Sequence, residues 1–404
     1  MKIAIFHNLP SGGAKRALYS LTKYLSKSSH VVDVFVPDTA DERFLPLKEV
    51  ASKVEVFPVR KTFTGFISSV IYYRNLGLEG SSLADLERTQ KDIANIINKS
   101  DYEVVFVEQD KYTMSPFFLK FIKKPAVYYC QQPVRANEAI LKRVSEKVYE
   151  TANLFVKMQR RIWHEYLKSK IKIDRQNASF AKYILANSYF SRESILRAYG
   201  LNSFVCYLGV DTEIFRPLNS SKENFVLSVG SCHSAKGYDF IISSLSHVDE
   251  KIRPKFIIIS NSASMPYKNY LERLASQNEV ELEIRSLVED KELVQFYNRA
   301  RLFLYAPYLE PFGLTPVEAM ACGIPVIAVK EGGVRESVIH NETGLLVERD
   351  EVMFAEAITD LLLDERRCQK MSKRGIETVR EFWTFDHAGE RLLWHLARAI
   401  KLWS

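Results

Sequence analysis

Short apolar runs separated by amphipathic stretches set the rhythm of this chain. Ile3–Phe6, Val31–Val36, Val104–Val107, Ile184–Ala186, Phe225–Val229, Phe256–Ile259 and Leu302–Tyr305 are almost uninterrupted in hydrophobicity and rich in β-branched and aromatic residues. That is how strands buried on both faces read. Between them the apolar positions change to helical spacing: Ala14, Ala17, Leu18, Leu21 and Leu25 follow the first run, and Phe240, Ile241, Ile242 and Leu245 follow Phe225–Val229. Alternating strand and helix signals predict an α/β fold with parallel sheets. The β-like Phe204–Leu208 gives way to a turn-rich stretch, Gly209 to Pro217 and on through Asn219, Ser220 and Ser221. A boundary there divides the chain into residues 1–217 and 218–384, each with its own α/β set. A last helix, 385–404, carries Leu392, Leu393, Leu396 and Ile400 on one stripe suited to docking.

Composition narrows the class without naming a chemistry. With 404 residues, 47% hydrophobic and 26% charged, the chain is an ordinary globular protein of two or three domains. Five scattered cysteines, Cys130, Cys206, Cys232, Cys322 and Cys368, form no Cys-x-x-Cys pair and suggest neither a disulfide scaffold nor a zinc site. No secretory leader follows Met1-Lys2, and no stretch approaches the ~18 apolar residues of a spanning helix, so the expected location is the cytoplasm. The net charge of +7 is unevenly placed. Lys142, Arg143, Lys147, Lys157, Arg160, Arg161, Lys168, Lys170, Lys172 and Arg175 interleave with Phe155, Ile162, Trp163, Tyr166 and Leu167. Such a face suits either solvent or peripheral contact with an anionic membrane. A second apolar patch, Phe63–Tyr73, suits either the core or an acceptor-facing surface. No nucleic-acid module is present.

The chemistry concentrates between Glu310 and Glu318. Thr315, Pro316 and Glu318 read as an N-cap, a first helical residue and the distal half of a capping box. Gly313 lets a ligand approach the backbone, and amides at the helix start suit an anion such as phosphate. One acid before the helix and one on its first turn can hold two separate polyols. Upstream, Phe225–Val229, a loop from Gly230 to Gly237 and a helix from Tyr238 form a strand, glycine loop, helix unit, with Lys236 a point charge at the helix entrance. Near the N-terminus, Ile3–Phe6 leads into a loop containing Gly12-Gly13, but no Gly-x-Gly-x-x-Gly is present, which disfavours a dinucleotide oxidoreductase. Tyr128-Tyr-Cys-Gln-Gln-Pro133 sits at another strand end, and glutamine amides bind hydroxyls but do not titrate.

Glu310-x7-Glu318, the following Ala-Met-Ala-Cys-Gly-Ile-Pro-Val-Ile-Ala, Gly332-Gly333-x-x-Glu336 and Thr343-Gly-Leu-Leu-Val together resemble the retaining glycosyltransferases of family 4. That resemblance implies the GT-B fold, two Rossmann-like domains with the last helix returning to the N-terminal one. It also implies a metal-independent transfer of a hexose from a nucleoside-diphosphate sugar to a glycan or lipid-linked hydroxyl, with no cofactor. Glu310 and Lys236 would be the catalytic pair. The donor-binding set would be Gly12, Gly13, Gln131, Ser231, Lys236, Val288, Glu310, Phe312, Gly313, Leu314, Thr315 and Glu318. Glu318 would hold the ribose and the amides of Gly313 to Thr315 the diphosphate. Ser231 departs from the family's usual arginine, for which Lys330 or Arg335 would have to compensate. The Cys130-Gln-Gln-Pro and Ile184–Ser191 runs lean towards GDP-mannose, with UDP-sugars open. The same scaffold also accommodates a non-catalytic sugar-nucleotide-binding subunit, an epimerase or a phosphorylase.

Overall fold

The computed structural model describes residues 1–60, 81–134, 168–218, 220–262, 264–286 and 288–403. The Phe63–Tyr73 patch and the basic stretch from Lys142 to Leu167 lie outside the described residues. The described residues up to 134, from 168 to 207 and from 388 onward form one compact unit, and those of 208–387 form the other.

The first unit holds a seven-stranded sheet of β1 (Lys2–Asn8), β2 (Val31–Pro37), β3 (Lys53–Phe57), β4 (Val104–Asp110), β5 (Ala126–Tyr129), β6 (Ile184–Ala186) and β7 (Phe204–Val205). The order is β3-β2-β1-β4-β5-β6-β7, with every neighbouring pair parallel. Its helices include α1 (Gly13–Lys27), α2 (Leu83–Lys99) and α3 (Tyr189–Tyr199). One residue set per sheet face builds the core: Phe6, Val105, Val107 and Tyr128 bury against Ile93 and Ile97 of α2, and Phe6 stacks on Phe118 at 4.3 Å. The run predicted over Phe204–Leu208 shortens to two paired residues because β7 is the sheet's edge.

The second unit is a six-stranded sheet of β8 (Phe225–Val229), β9 (Lys255–Ser260), β10 (Leu282–Ser286), β11 (Leu302–Tyr305), β12 (Val326–Val329) and β13 (Gly344–Val347). Its order is β10-β9-β8-β11-β12-β13, again parallel throughout. Its helices include α4 (Tyr238–Ser246), α5 (Met265–Gln277), α6 (Asp290–Arg299), α7 (Leu314–Ala321), α8 (Glu351–Leu363) and α9 (Glu365–Phe382). Leu302 and Leu304 point to one face of β11, among Ile241, Ile242 and Phe256. Phe303 and Tyr305 point to the other, as the two-residue period requires. Strand β12 begins just after Pro325, which has no N–H for the ladder but whose carbonyl accepts from Phe303 N–H at 3.0 Å.

The last helix, α10 (Phe385–Trp403), joins the N-terminal unit from Ala388 onward. Leu392, Leu396 and Ala399 are fully buried there. At Gly389 the helix crosses α1 so closely that an added Cβ would lie 2.1 Å from the Tyr24 ring.

Candidate functional site

In the second unit the chain runs outward in one direction from β8 to β9 and in the other from β11 to β12, so the order reverses between the neighbours β8 and β11. Open α/β sheets bind ligands at the carboxyl ends of strands flanking such a reversal. The loops leaving these two strands interlock. Tyr308 N–H donates to the Ala235 carbonyl at 2.9 Å. Gly237 has φ +66°, and a Cβ there would stand 2.1 Å from the Ala306 carbonyl oxygen, so neither conformation nor space admits a side chain. Arg349 clamps the second loop from outside. Its guanidinium donates to the carbonyls of Ala306 and Pro307 at 3.0 and 2.9 Å, lies 3.8 Å from the Tyr308 ring centroid and pairs with Glu331.

This framework delivers Lys236 to Glu310: its Nζ lies 2.8 and 2.9 Å from the two carboxylate oxygens. A third loop fixes the backbone of Glu310. Gly333 N–H donates to the Glu310 carbonyl at 2.8 Å, and Gly332, at φ +67°, passes so close that its Cβ would lie 2.3 Å from that same oxygen. The pair is only part-buried, with 16% of the lysine and 29% of the glutamate side chain accessible. A ligand can therefore exchange for either partner without opening the core. Around it, burial above all, with the charge of Glu310 among the lesser causes, pushes the hydroxyls of Tyr238 and Tyr305 well above the ordinary phenol range, so both stay neutral. The Tyr238 hydroxyl is buried without a hydrogen-bond partner among the described residues.

The helix that follows differs from the expected capping box. Gly313, with φ +91°, is the N-cap, no side chain caps the helix, and Leu314 is its first residue. The left-handed glycine starts the helix before Thr315, which becomes its second residue and cannot act as a cap. Glu318 then turns inward rather than back: it is 3% exposed and accepts from the Tyr297 hydroxyl at 2.8 Å. Phe312 is buried with its ring 5.6 Å from that of Trp383, whereas Gly313, Leu314 and Thr315 are half-buried. Ser231 and Val288 are half-buried as well, and the Ser231 carbonyl accepts from His233 N–H at 3.0 Å. Of the two cations offered as compensation, Lys330 pairs with Glu348 at 3.9 Å, and Arg335 donates from Nε to the Gly332 carbonyl at 2.9 Å. Arg349 and Tyr238 escaped the sequence reading. Arg349 belongs to no local motif, and Tyr238 reads as nothing more than the start of a helix.

The first unit reverses in the same way between β1 and β4. Gly12 is the N-cap of α1 at φ +138°, with nothing within 4 Å of a Cβ placed on it, and Gly13 is exposed. Beneath this turn the buried Lys15 pairs with Glu42, and His7 Nε2 lies 3.0 Å from the same carboxylate. Burial pushes His7 down to about 4. Burial alone would raise Glu42, but His7 and Lys15 outweigh it and hold the carboxyl at about 2. Gln131 is 6% exposed and engaged at both ends of its amide: Nε2 donates to Glu108 at 3.0 Å, and Oε1 accepts from Asn187 Nδ2 at 2.9 Å. Ser191 extends the chain, its hydroxyl 2.6 Å from Asn187 Oδ1. Burial pushes the Glu108 carboxyl up to about 8.

Residues 210–378 match the family described as glycosyl transferases group 1. A D-inositol 3-phosphate glycosyltransferase of Xylanimonas cellulosilytica is 26% identical over 251 residues, 56% of this chain and 60% of the relative. A GDP-mannose-dependent alpha-(1-6)-phosphatidylinositol monomannoside mannosyltransferase of Mycobacterium tuberculosis is 28% identical over 51% of this chain and 59% of its own length. The match thus spans about 60% of these curated relatives. An Anabaena protein solved in complex with UDP and glucose has a TM-score of 0.74 at 17% identity, covering 98% of this chain and all of its own. A sucrose-phosphate synthase from Thermosynechococcus elongatus gives 0.74 at 19% identity, with both chains fully covered. At these identities the likeness establishes the fold, GT-B, with its two Rossmann-like sheets.

Proposed function

We propose that this chain, whose residues 210–378 match the glycosyl transferases group 1 family, is a retaining glycosyltransferase moving a hexose from a nucleoside-diphosphate sugar to a hydroxyl of a glycan or lipid-linked acceptor. The observation that carries this reading is the part-buried Lys236–Glu310 pair at the β8/β11 reversal, held by three interlocking loops beside an uncapped helix start. In the resting protein each partner neutralises the other. A bound donor offers both a better match: its diphosphate is the counter-charge for Lys236, and its sugar hydroxyls donate to the freed Glu310 carboxylate.

As the glycosidic bond breaks, negative charge grows on the leaving diphosphate. Lys236 and the amides of Gly313, Leu314 and Thr315 are fixed before the reaction starts, so they stabilise that charge without reorganising. Glu318 is buried against Tyr297, so a ribose contact by its carboxylate requires α7 to shift or the Tyr297 hydrogen bond to be exchanged. For the donor we favour GDP-mannose, on the mannosyltransferase-like runs at Cys130 and Ile184 and the named activity of the mycobacterial relative. The structural neighbour solved with UDP keeps a UDP-sugar as the second reading.

A thermal-shift panel with GDP, UDP, ADP and TDP tests the proposal. A nucleotide that binds only the folded chain adds ~2.7 kcal/mol of stability at a hundred times its Kd. GDP is expected to raise the melting temperature most, and a chain that responds to none of the four is not a sugar-nucleotide enzyme.

A further inference from the structure

We propose that the Tyr238 hydroxyl donates a hydrogen bond to the distal phosphate of the bound nucleotide, in the space that the Lys236 side chain vacates as it turns from Glu310 towards that phosphate. The inference rests on the transfer reading and adds a binding residue to its site. Tyr238 opens α4, its ring meets that of Phe256 in the core of the second unit, and only 3% of the residue is exposed. Its hydroxyl has no hydrogen-bond partner among the described residues. Such a group costs stability where it stands, because water is shut out and nothing replaces it. The neighbouring Tyr267 shows the ordinary arrangement: as buried in the same core, it donates to Asp239 at 3.1 Å.

The place of the hydroxyl gives it a use. A Cβ set on Gly230, the residue that leaves β8, would stand 3.1 Å from the Tyr238 oxygen and 3.6 and 3.7 Å from Cε and Cδ of Lys236. Phenol and lysine stem thus border the same face of Gly230, at the carboxyl end of the strand. The Lys236 ammonium is meanwhile held by Glu310. When a diphosphate draws it away the stem moves with it, and the cover beside Gly230 opens. Burial above all keeps the phenol protonated well above its ordinary range, so it meets an anion as a donor. Of the other cations on these loops, Lys330 pairs with Glu348, Arg335 holds the Gly332 carbonyl and Arg349 pairs with Glu331. That leaves room for a neutral donor beside Lys236. Glu310 takes the sugar in the transfer reading, so the phosphate nearest the pair is the one that carries it.

The test is calorimetric titration of GDP and UDP, with GMP and UMP beside them, into the parent, Tyr238→Phe and Tyr267→Phe, and a melting curve of each without nucleotide. Tyr238→Phe keeps the ring and removes only the stranded oxygen. It should melt at or above the parent and yet bind the diphosphate that the parent prefers about tenfold or more weaker, the usual effect of one hydrogen bond to a charged group. GMP and UMP lack the distal phosphate and should bind the two proteins alike. Tyr267→Phe should show the reverse, a lower melting temperature with nucleotide affinities unchanged. A Tyr238→Phe protein that melts below the parent has lost a resting partner and overturns the proposal. So does one that binds the parent's diphosphate undiminished, one that loses the monophosphates equally, or a loss of diphosphate affinity common to both variants, which marks a packing effect; in each case the transfer reading stands. A parent that binds neither diphosphate removes that reading and this proposal together.

Discussion

Two polar clusters occupy equivalent places in the two sheets, each beside a reversal of strand order, and they differ in what they leave over. In the second unit, Lys236 and Glu310 satisfy each other yet remain part-open, beside a helix start with no side-chain cap and a Tyr238 hydroxyl with no described partner. In the first unit, Glu108, Gln131, Asn187 and Ser191 pass hydrogen bonds from one to the next and are almost wholly buried. On the proposed function, the pair that a donor replaces is a binding device. A network that spends its donors and acceptors internally fixes shape, because breaking it strands a buried polar group. On this contrast, changes to the Lys236–Glu310 pair should act on turnover, and changes to the Glu108 network on stability.

The largest effect expected is on turnover. Lys236→Ala removes a fixed cation from the leaving diphosphate and should lower kcat/KM by ~10²–10³-fold, the usual loss for one preorganised charge-stabilising group, with the melting temperature little changed. Glu310→Ala should behave alike and also leave Lys236 without its resting partner. Steady-state kinetics beside a melting curve separate these outcomes. Undiminished turnover in either variant would erase the distinction between the clusters.

Glu108 sharpens the other side. Its folded-state pKa is raised from 4.5 to about 8 by burial. The stability it contributes is therefore fully present below about pH 4.5 and is lost as pH rises towards 8. His7 and His395, pushed down to about 4 by burial, act in the opposite sense, losing stability as pH falls below 6.5. The difference between Glu108→Gln and the parent cancels the histidines. It should favour the variant increasingly with pH across that window, by on the order of a few kcal/mol, in denaturant melts at a series of pH values. A pH-independent difference would mean that Glu108 is charged in the folded chain.

The strand runs and helical stripes carried most of the architecture, because buried parallel strands and amphipathic helices leave their period in the sequence. Phe225–Val229, Leu302–Tyr305 and the last helix fall at the expected residues. Lys236 and Glu310 were legible too, each beside a glycine-marked loop. What the sequence hid is tertiary. Thr315-x-x-Glu318 has capping-box spacing, but backbone conformation at Gly313 decides where the helix starts, and that angle leaves no mark in the pattern. By contrast Ser82 and Asp85, which do form a complete capping box, sit in an unremarkable polar stretch. Arg349 is 43 residues from Ala306, whose carbonyl it binds, and Glu108 meets Gln131 across 23. Partners so distant in sequence have no local signature.

A glycine tests whether the binding device depends on its backbone cradle. Gly332 holds φ +67° with a Cβ position 2.3 Å from the Glu310 carbonyl oxygen, so Gly332→Ala meets both backbone strain and a backbone clash. A cost of ~1–3 kcal/mol in stability is expected. Turnover should fall further than this loss of folded protein explains, because relief of the clash moves Glu310 away from Lys236. If activity tracks the folded fraction alone, the pair does not need that loop.

The smallest change asks the most pointed question of the buried network. Ser191→Ala deletes the hydroxyl that donates to Asn187 Oδ1, leaves the Ser188 capping contact to the Ser191 amide in place, and adds no volume. Asn187 is 4% exposed, so water cannot readily replace the lost donor. The expected cost is ~1–2 kcal/mol, read as a lower denaturant midpoint at unchanged slope. Since Asn187 still donates to Gln131 and Gln131 to Glu108, the rest of the chain keeps its direction, and kcat and KM should match the parent's once folded protein is counted. A fall in kcat at unchanged midpoint would mean that the network reaches the reacting groups, and the contrast between a replaceable pair and a sealed scaffold would then describe burial alone and not function.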